Sequence, residues 1–263
     1  MPAEVAVRQT GPSLAPPLNV SLTGARLRPE FNVEAKSLVE KMFGLQVDLE
    51  PFYQMASQDA KLLVLVKKFW GVKPPRFPTV FETLANAFAC QQLSLSVGLG
   101  LLCRLAAVCG LTLKQQDGTH HAFSRPQDLK VKPSMFRKLG FSGNKVSAFH
   151  ELSQGIVDRR IDFESLERMN SQAVIDSLLA LRGVSRWTAE YVLLRGLQRL
   201  NVFPGDDVGA RTRLAKWQNR KERLDYAGVA RVTKRWQPYA GMVYFHMLLR
   251  GLSENGELNN YVG

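Results

Sequence analysis

From Phe31 onward, apolar residues recur at intervals of three and four, the period of helices that bury one face. Ala35, Leu38, Val39, Met42 and Phe43 form the first such face. A second helix is predicted from about Ala60 to Trp70, and Lys73-Pro74-Pro75-Arg76-Phe77-Pro78 then breaks it. Thr79 and Glu82 stand at capping-box spacing and open the next helix, which runs through Cys90. Ser94 caps another that reaches Gly110. Residues 111–130 read as a loop with Asp117-Gly118 as its turn. Helices resume over Ser142–Gly155, Ser171–Leu181 and Arg186–Gly196, and again over Glu222–Ala230 and Tyr239–Leu252. Residues 1–30 differ: they are Pro-rich, and only Leu18, Val20 and Leu22 alternate with polar residues, predicting one short strand in a tail or remnant. No strand pair or repeat is visible further on. The predicted class is all-α, with two helical lobes around a cleft. Residues 76–198 form the central lobe, and 31–75 with 199–263 form the second from the chain ends.

Composition narrows the partner. The chain has 263 residues, 45% of them hydrophobic, enough for a sizeable core. Lys and Arg outnumber Asp and Glu by 35 to 23, a formal charge of +12. Such an excess points to a polyanion, nucleic acid first and an anionic membrane second. Cys90, Cys103 and Cys109 form no C-x-x-C pair, which argues against a disulfide framework, a zinc knuckle or an iron–sulfur cluster. Free thiols fit a reducing cytosol. His120, His121, His150 and His246 lack metal-ligand spacing. No apolar stretch nears the ~20 residues that span a bilayer, and no secretion signal is visible. A membrane-surface protein fits poorly, because the helices show core patterning rather than a basic stripe.

The informative segment runs from Leu178 to Val192. An apolar helix ends at Leu181, Gly183 supplies a tight turn, and a second helix starts near Ser185 or Arg186. The first amides of that helix lack intrahelical partners and carry the positive end of its dipole, so a phosphate can sit there. Alone, this is a moderate signal for binding, with an ordinary helix–turn–helix packing unit as the lesser alternative. Asn201-Val202-Phe203-Pro204-Gly205-Asp206-Asp207 follows shortly after. An acidic pair after Pro-Gly is, by itself, more often a solvated turn or a helix cap.

Together these residues resemble the helix-hairpin-helix DNA glycosylase superfamily, whose motif includes a Gly/Pro-rich stretch ending in a catalytic Asp. Its alkylation-repair branch, of the 3-methyladenine DNA glycosylase II type, is the nearest match. The resemblance covers most of residues 45–252. Leu49-Glu50-Pro51-Phe52-Tyr53, Pro74 to Pro78, Cys90-Gln91-Gln92-Leu93-Ser94, Leu139 to Lys145, and Arg235-Trp236-Gln237-Pro238-Tyr239 match in order. The chain departs in having Ser185 where the family usually has Gly, and Arg182 where it usually has Pro. Thirty leading residues are too few for the N-terminal β domain of the best-known member, so that domain is expected to be absent or a stub.

The resemblance implies a fold with a helix-hairpin-helix at about 171–196 facing a DNA-binding cleft, and a residue-by-residue assignment. Asp207, with Asp206 as runner-up, would be the catalytic carboxylate that stabilises an oxocarbenium-like sugar. Trp187, Tyr191 and Gln91 would line the flipped-base pocket, and Gln92 would wedge into the gap left in the duplex. Trp187 stands where lyase branches carry a Schiff-base Lys, so the enzyme would be monofunctional. Gly183, Ser185, Arg186, Thr188, Arg211 and Arg213 would bind phosphates. The carbonyls of Leu179, Leu181 and Val184 would hold a structural Na+ or K+, with no cofactor needed for catalysis. The nine basic residues between Arg211 and Arg235 are a solvated face or, beside such an Asp, a phosphate track.

The expected function is hydrolysis of alkylated purines such as 3-methyladenine and 7-methylguanine from double-stranded DNA containing a damaged base, by a monomer. Its place would be the cytoplasm, with the nucleoid, in a prokaryote, or the nucleus in a eukaryote. The alternatives are a glycosylase for deaminated or oxidised bases, or a non-catalytic helix-hairpin-helix DNA-binding module.

Overall fold

The computed structural model describes residues 3–10, 17–24, 29–115, 118–129 and 132–258. Strands β1 (Glu4–Gln9) and β2 (Leu18–Thr23) lead into helices α1 (Pro29–Phe43), α2 (Glu50–Ser57), α3 (Ala60–Lys68), α4 (Val80–Cys90) and α5 (Leu95–Cys109). Strands β3 (Thr112–Gln115) and β4 (Gly118–His121) follow. The remainder is helical: α6 (Pro133–Lys138), α7 (Gly143–Val157), α8 (Ser171–Leu179), α9 (Arg186–Arg195), α10 (Val208–Trp217), α11 (Tyr226–Thr233) and α12 (Ala240–Glu254). Helices build the cores, as the periodicity predicts. None among the described residues is long and apolar enough to cross a membrane.

The strands correct the sequence reading. Leu18–Thr23 is one half of an antiparallel hairpin, paired with Glu4–Gln9 from Glu4 opposite Thr23 to Gln9 opposite Leu18. The segment read as a loop at 111–130 contains a second hairpin, with Thr112 opposite His121 and Gln115 opposite Gly118. Its sequences, Thr-Leu-Lys-Gln and Gly-Thr-His-His, hold one large aliphatic residue between them, so alternation is silent. Asp117 of the predicted turn lies outside the described residues. Three short helices also escape the periodicity. Of these, α10 is masked by its charges, because Arg211, Arg213 and Lys216 interrupt its apolar face. The helix predicted at 222–230 begins later, where Asp225 accepts from the Gly228 amide and caps α11.

The chain divides into two compact units with boundaries inside α1 and α9: residues 1–39 with 77–192, and residues 40–76 with 193–263. In the first unit, α4 is buried on nearly every side, from Phe81 to Ala89. Thr79 caps it by accepting from the Glu82 amide at 3.1 Å. Phe88 meets Phe149 edge-on at 5.6 Å, and Phe149 in turn meets Phe136 and Phe141. These contacts fix α4 against α7.

In the second unit, Phe52, Leu62, Val66, Leu214, Trp217 and Trp236 share one core with Met242 and Val243 of α12. Gly241 lets residues 200–202 lie against α12. A Cβ there would stand 2.6 Å from the Val202 carbonyl and 2.8 Å from that of Leu200. The Gly241 amide also donates to the Leu200 carbonyl at 2.7 Å. That contact fixes where the chain enters the Pro204-Gly205-Asp206-Asp207 turn.

His246 is 1% exposed, 5.3 Å from the Phe52 ring, and its Nδ1 lies 2.8 Å from the Met242 carbonyl. Burial pushes its pKa below the ordinary 6.5. The unfolded chain therefore takes a proton on this imidazole at a pH where the folded chain resists it. The stability it contributes is fully present above the unfolded value and is lost as pH falls below it. Urea midpoints should fall between pH 7.5 and 5, and His246→Gln should show a shallower fall over that window. Identical slopes would mean that His246 does not carry the dependence.

Candidate active site: a braced hairpin, an aromatic pair and a capped carboxylate

The hairpin joins α8 to α9 through residues 180–185. Asn170 caps α8 by accepting from the Ala173 amide at 2.9 Å. Gly183 is required on two counts: its φ is +80°, and a Cβ would stand 2.7 Å from that of Ala148. Ser185, standing where the family usually has Gly, accepts from the Thr188 amide at 3.3 Å and opens α9. Gly183, Ser185 and Arg186 are exposed. The amides at this end are therefore presented to solvent with the positive end of the helix dipole behind them.

Two residues that the resemblance assigns to binding brace this turn. Gln91, expected to line a base pocket, donates from Nε2 to the Gly183 carbonyl and to Thr188 Oγ1, both at 2.9 Å. Thr188, expected to bind phosphate, is fully buried, and its hydroxyl also lies 3.2 Å from Ser185 Oγ. Its side chain is enclosed by these partners. Gln92, the expected wedge, is exposed and left-handed, with φ +59°. A non-glycine residue held this way stores strain of order 1 kcal/mol or more, a common feature of contact points. Lys145, missed as a functional residue, holds the loop from below by donating to the Ala89 and Gln91 carbonyls at 2.8 and 2.9 Å. Desolvation pushes its pKa below the usual lysine value.

Trp187 and Tyr191 stack along α9 with centroids 5.4 Å apart and planes at 27°. Both are half-buried. Phe77 lies 6.3 Å from Tyr191. The Tyr191 hydroxyl donates to Asn86 Oδ1 at 2.9 Å. Nothing in the spacing of Asn86 marks it in advance, since the partners lie 105 residues apart.

The acidic pair resolves into two roles. Asp207 caps α10: its Oδ1 accepts from the Ala210 amide at 2.6 Å. Its Oδ2 accepts from the Tyr244 hydroxyl at 2.8 Å, and its side chain is 18% exposed. Arg213, expected on phosphate, stands with its guanidinium 4.0 Å from Asp207 Oδ1, and its buried Nε has no hydrogen-bond partner. Asp206 pairs instead with Arg211, whose Nε donates to the Gly205 carbonyl at 2.7 Å. Arg211 is thus tied to its own turn. Of the later basic run, Arg220, Lys221, Arg223 and Arg231 gather with Glu222 and Asp225 around an open cavity of about 500 Å³.

No group of three or more His, Cys, Asp or Glu that could hold a metal occurs among the described residues. The carbonyls of Leu179, Leu181 and Val184 are hard oxygen donors of the kind an alkali cation takes. That of Leu181 already accepts from the Val184 amide at 3.2 Å.

Gln91→Leu removes both hydrogen bonds of the brace and leaves the Gly183 carbonyl unpaired. It should destabilise the protein by about 1–3 kcal/mol. Thr188→Val should cost a similar amount, and the double variant clearly less than the sum, because both remove one network. Additive losses in urea melts would show that the two residues act independently.

No family model matches the sequence. A DNA-3-methyladenine glycosylase from Bacillus subtilis is 26% identical over 219 residues, which is 82% of this chain and 72% of that protein. Two further relatives are covered over 55% and 54% of their lengths. Among solved structures, the 3-methyladenine DNA glycosylase of Archaeoglobus fulgidus superposes with a TM-score of 0.80 at 24% identity, over 93% of this chain and 82% of that one. The 3-methyladenine DNA glycosylase of Schizosaccharomyces pombe, in complex with abasic DNA, gives 0.63 at 22% identity over 73% and 92%. The braced hairpin, the Pro-Gly turn ending on a helix-capping Asp, and these likenesses agree: the chain is similar to the 3-methyladenine DNA glycosylases in sequence and in fold.

Proposed function

We propose that this protein is a monofunctional DNA glycosylase that hydrolyses the N-glycosidic bond of alkylated purines flipped out of duplex DNA. The observation that carries the reading is Asp207, a half-buried carboxylate at a helix N-terminus with a hydrogen bond on each oxygen. Breaking an N-glycosidic bond builds positive charge on the deoxyribose. A fixed carboxylate beneath the sugar lowers the energy of that state without rearranging as the charge appears. Water then completes the substitution at the anomeric carbon, and the base leaves with the bonding electrons.

Trp187 bears on both the base and the outcome. A purine alkylated at a ring nitrogen is cationic, and a Trp–Tyr stack offers it a π-face. Such a base is already a good leaving group, which suits a site with one carboxylate and no general acid assigned. Trp also has no amine with which to form a Schiff base, so the product is an intact abasic site. The DNA is held by the exposed amides of the Gly183 turn, by the basic residues around α10 and α11, and by Gln92 at the vacated position. A Na+ or K+ on the Leu179, Leu181 and Val184 carbonyls would add positive charge to this phosphate contact; it takes no part in the chemistry.

Asp207→Asn should cut base release from methylated duplex by ~10²–10⁴-fold. Asp206→Asn should retain most of the activity, and duplex binding should stay within a few-fold for both. An inactive Asp206→Asn beside an active Asp207→Asn would move the role by one residue. Active forms of both would end the glycosylase reading.

Trp187→Leu keeps bulk but removes the π-face. It should lower turnover of cationic 7-methylguanine more than that of neutral hypoxanthine, by the ~0.5–2 kcal/mol of a cation–π contact. Equal losses in single-turnover assays would make Trp187 a packing residue. Borohydride should trap no covalent enzyme–DNA adduct with the wild-type protein, and a near-stoichiometric adduct would contradict the monofunctional assignment.

A further inference from the structure

The eight buried residues of α4 are Phe81, Thr83, Leu84, Ala85, Asn86, Ala87, Phe88 and Ala89. The Thr83 hydroxyl is spent locally, on the Thr79 carbonyl at 2.9 Å. Asn86 is therefore the one amide sunk into an otherwise apolar helix, and it is only 6% exposed. Burying an amide is costly unless its groups are used. Its oxygen is used, by the Tyr191 hydroxyl. Its Nδ2 donates to no group among the described residues, yet it is not one of the sealed, unsatisfied buried atoms. The amide nitrogen thus keeps an opening, one hydrogen bond away from the tyrosine that stacks on Trp187.

We infer that Asn86 is a specificity-determining residue whose Nδ2 donates to the 6-oxo group of a guanine-type base stacked on Trp187 and Tyr191. This rests on the reading of that aromatic pair as the base pocket. Enzymes that flip a base read it by stacking on its faces and by hydrogen bonds to its polar edge. The stack discriminates by charge, so it treats 3-methyladenine and 7-methylguanine alike, and only an edge contact separates them. At position 6 the adenine type presents an amino donor and the guanine type a carbonyl acceptor. An amide N–H satisfies the second and opposes the first. The hydrogen bond from Tyr191 fixes which end of the amide is offered, because the hydroxyl takes the oxygen.

The test compares wild-type, Asn86→Asp and Asn86→Leu in single-turnover release of 7-methylguanine and of 3-methyladenine from methylated duplex. Melting midpoints and binding to abasic duplex confirm that each variant is folded. Asn86→Asp keeps an oxygen for the Tyr191 hydroxyl and loses only the donor. A residue that merely anchors Tyr191 would tolerate it, with the ratio of the two rates unchanged. The inference expects the 7-methylguanine to 3-methyladenine ratio to fall by about fivefold or more in Asn86→Asp. Asn86→Leu should move it the same way, and it decides the matter should the aspartate variant fail to fold. An unchanged ratio in the folded variants, whatever the loss in total rate, overturns the inference and leaves the glycosylase reading standing. A wild-type protein that releases neither base overturns the glycosylase reading itself.

Discussion

The proposed chemistry depends on one electrostatic requirement, a negative charge held still at the start of α10. A helix N-terminus favours an anion, and the Ala210 amide and the Tyr244 hydroxyl occupy one carboxylate oxygen each. Around it, the chain is built to a narrow specification. Gly241 admits the backbone of residues 200–202 against α12, and Gly205 passes close under the Tyr226 ring, where a Cβ would meet Cε2 at 2.8 Å. Asp206 and Arg211 tie the turn to itself. Arg213 stands 4.0 Å from Asp207 Oδ1, near enough to offset its charge without a hydrogen-bonded pair.

The hairpin unit solves a different problem, that of presenting main-chain donors at a fixed place. Backbone amides carry no net charge and need no reorganisation, but they work only while the turn keeps its shape. Gln91 and Thr188 supply that rigidity from inside, and Lys145 holds the carbonyls of the loop that carries Gln92. The same α4–α7 packing that makes the core also fixes these residues. A core substitution near Phe88 or Phe149 would therefore disturb the hairpin through geometry rather than contact.

Much of this was legible in the sequence because the relevant signals are local. The helical period found α1, α3, α5, α7 and α12, and Thr79, Ser94 and Ser185 were recognisable as caps. Asp207 was singled out by the resemblance, which the Pro-Gly turn and its place after the hairpin help to carry. What escaped was short, charged or distant. The β3–β4 hairpin lacks apolar alternation, and α10 reads as a charge run because its three basic residues interrupt its apolar face. The resemblance assigns Gln91, Thr188 and Arg211 to ligands. Only tertiary distances show that Gln91 Nε2, the Thr188 hydroxyl and Arg211 Nε already hold partners within the protein. Tyr244 and Asn86 meet their partners across 37 and 105 residues, a separation no spacing rule reaches.

The central claim is that Asp207 acts by its charge on a cationic sugar. Its most direct measurement is binding to duplexes that carry, in place of one nucleotide, either a neutral tetrahydrofuran abasic analogue or a cationic pyrrolidine of the same shape. The wild-type protein should prefer the pyrrolidine, and Asp207→Asn should lose that preference while holding the neutral analogue about as well as before. A preference for the cation that survives in Asp207→Asn would contradict the account.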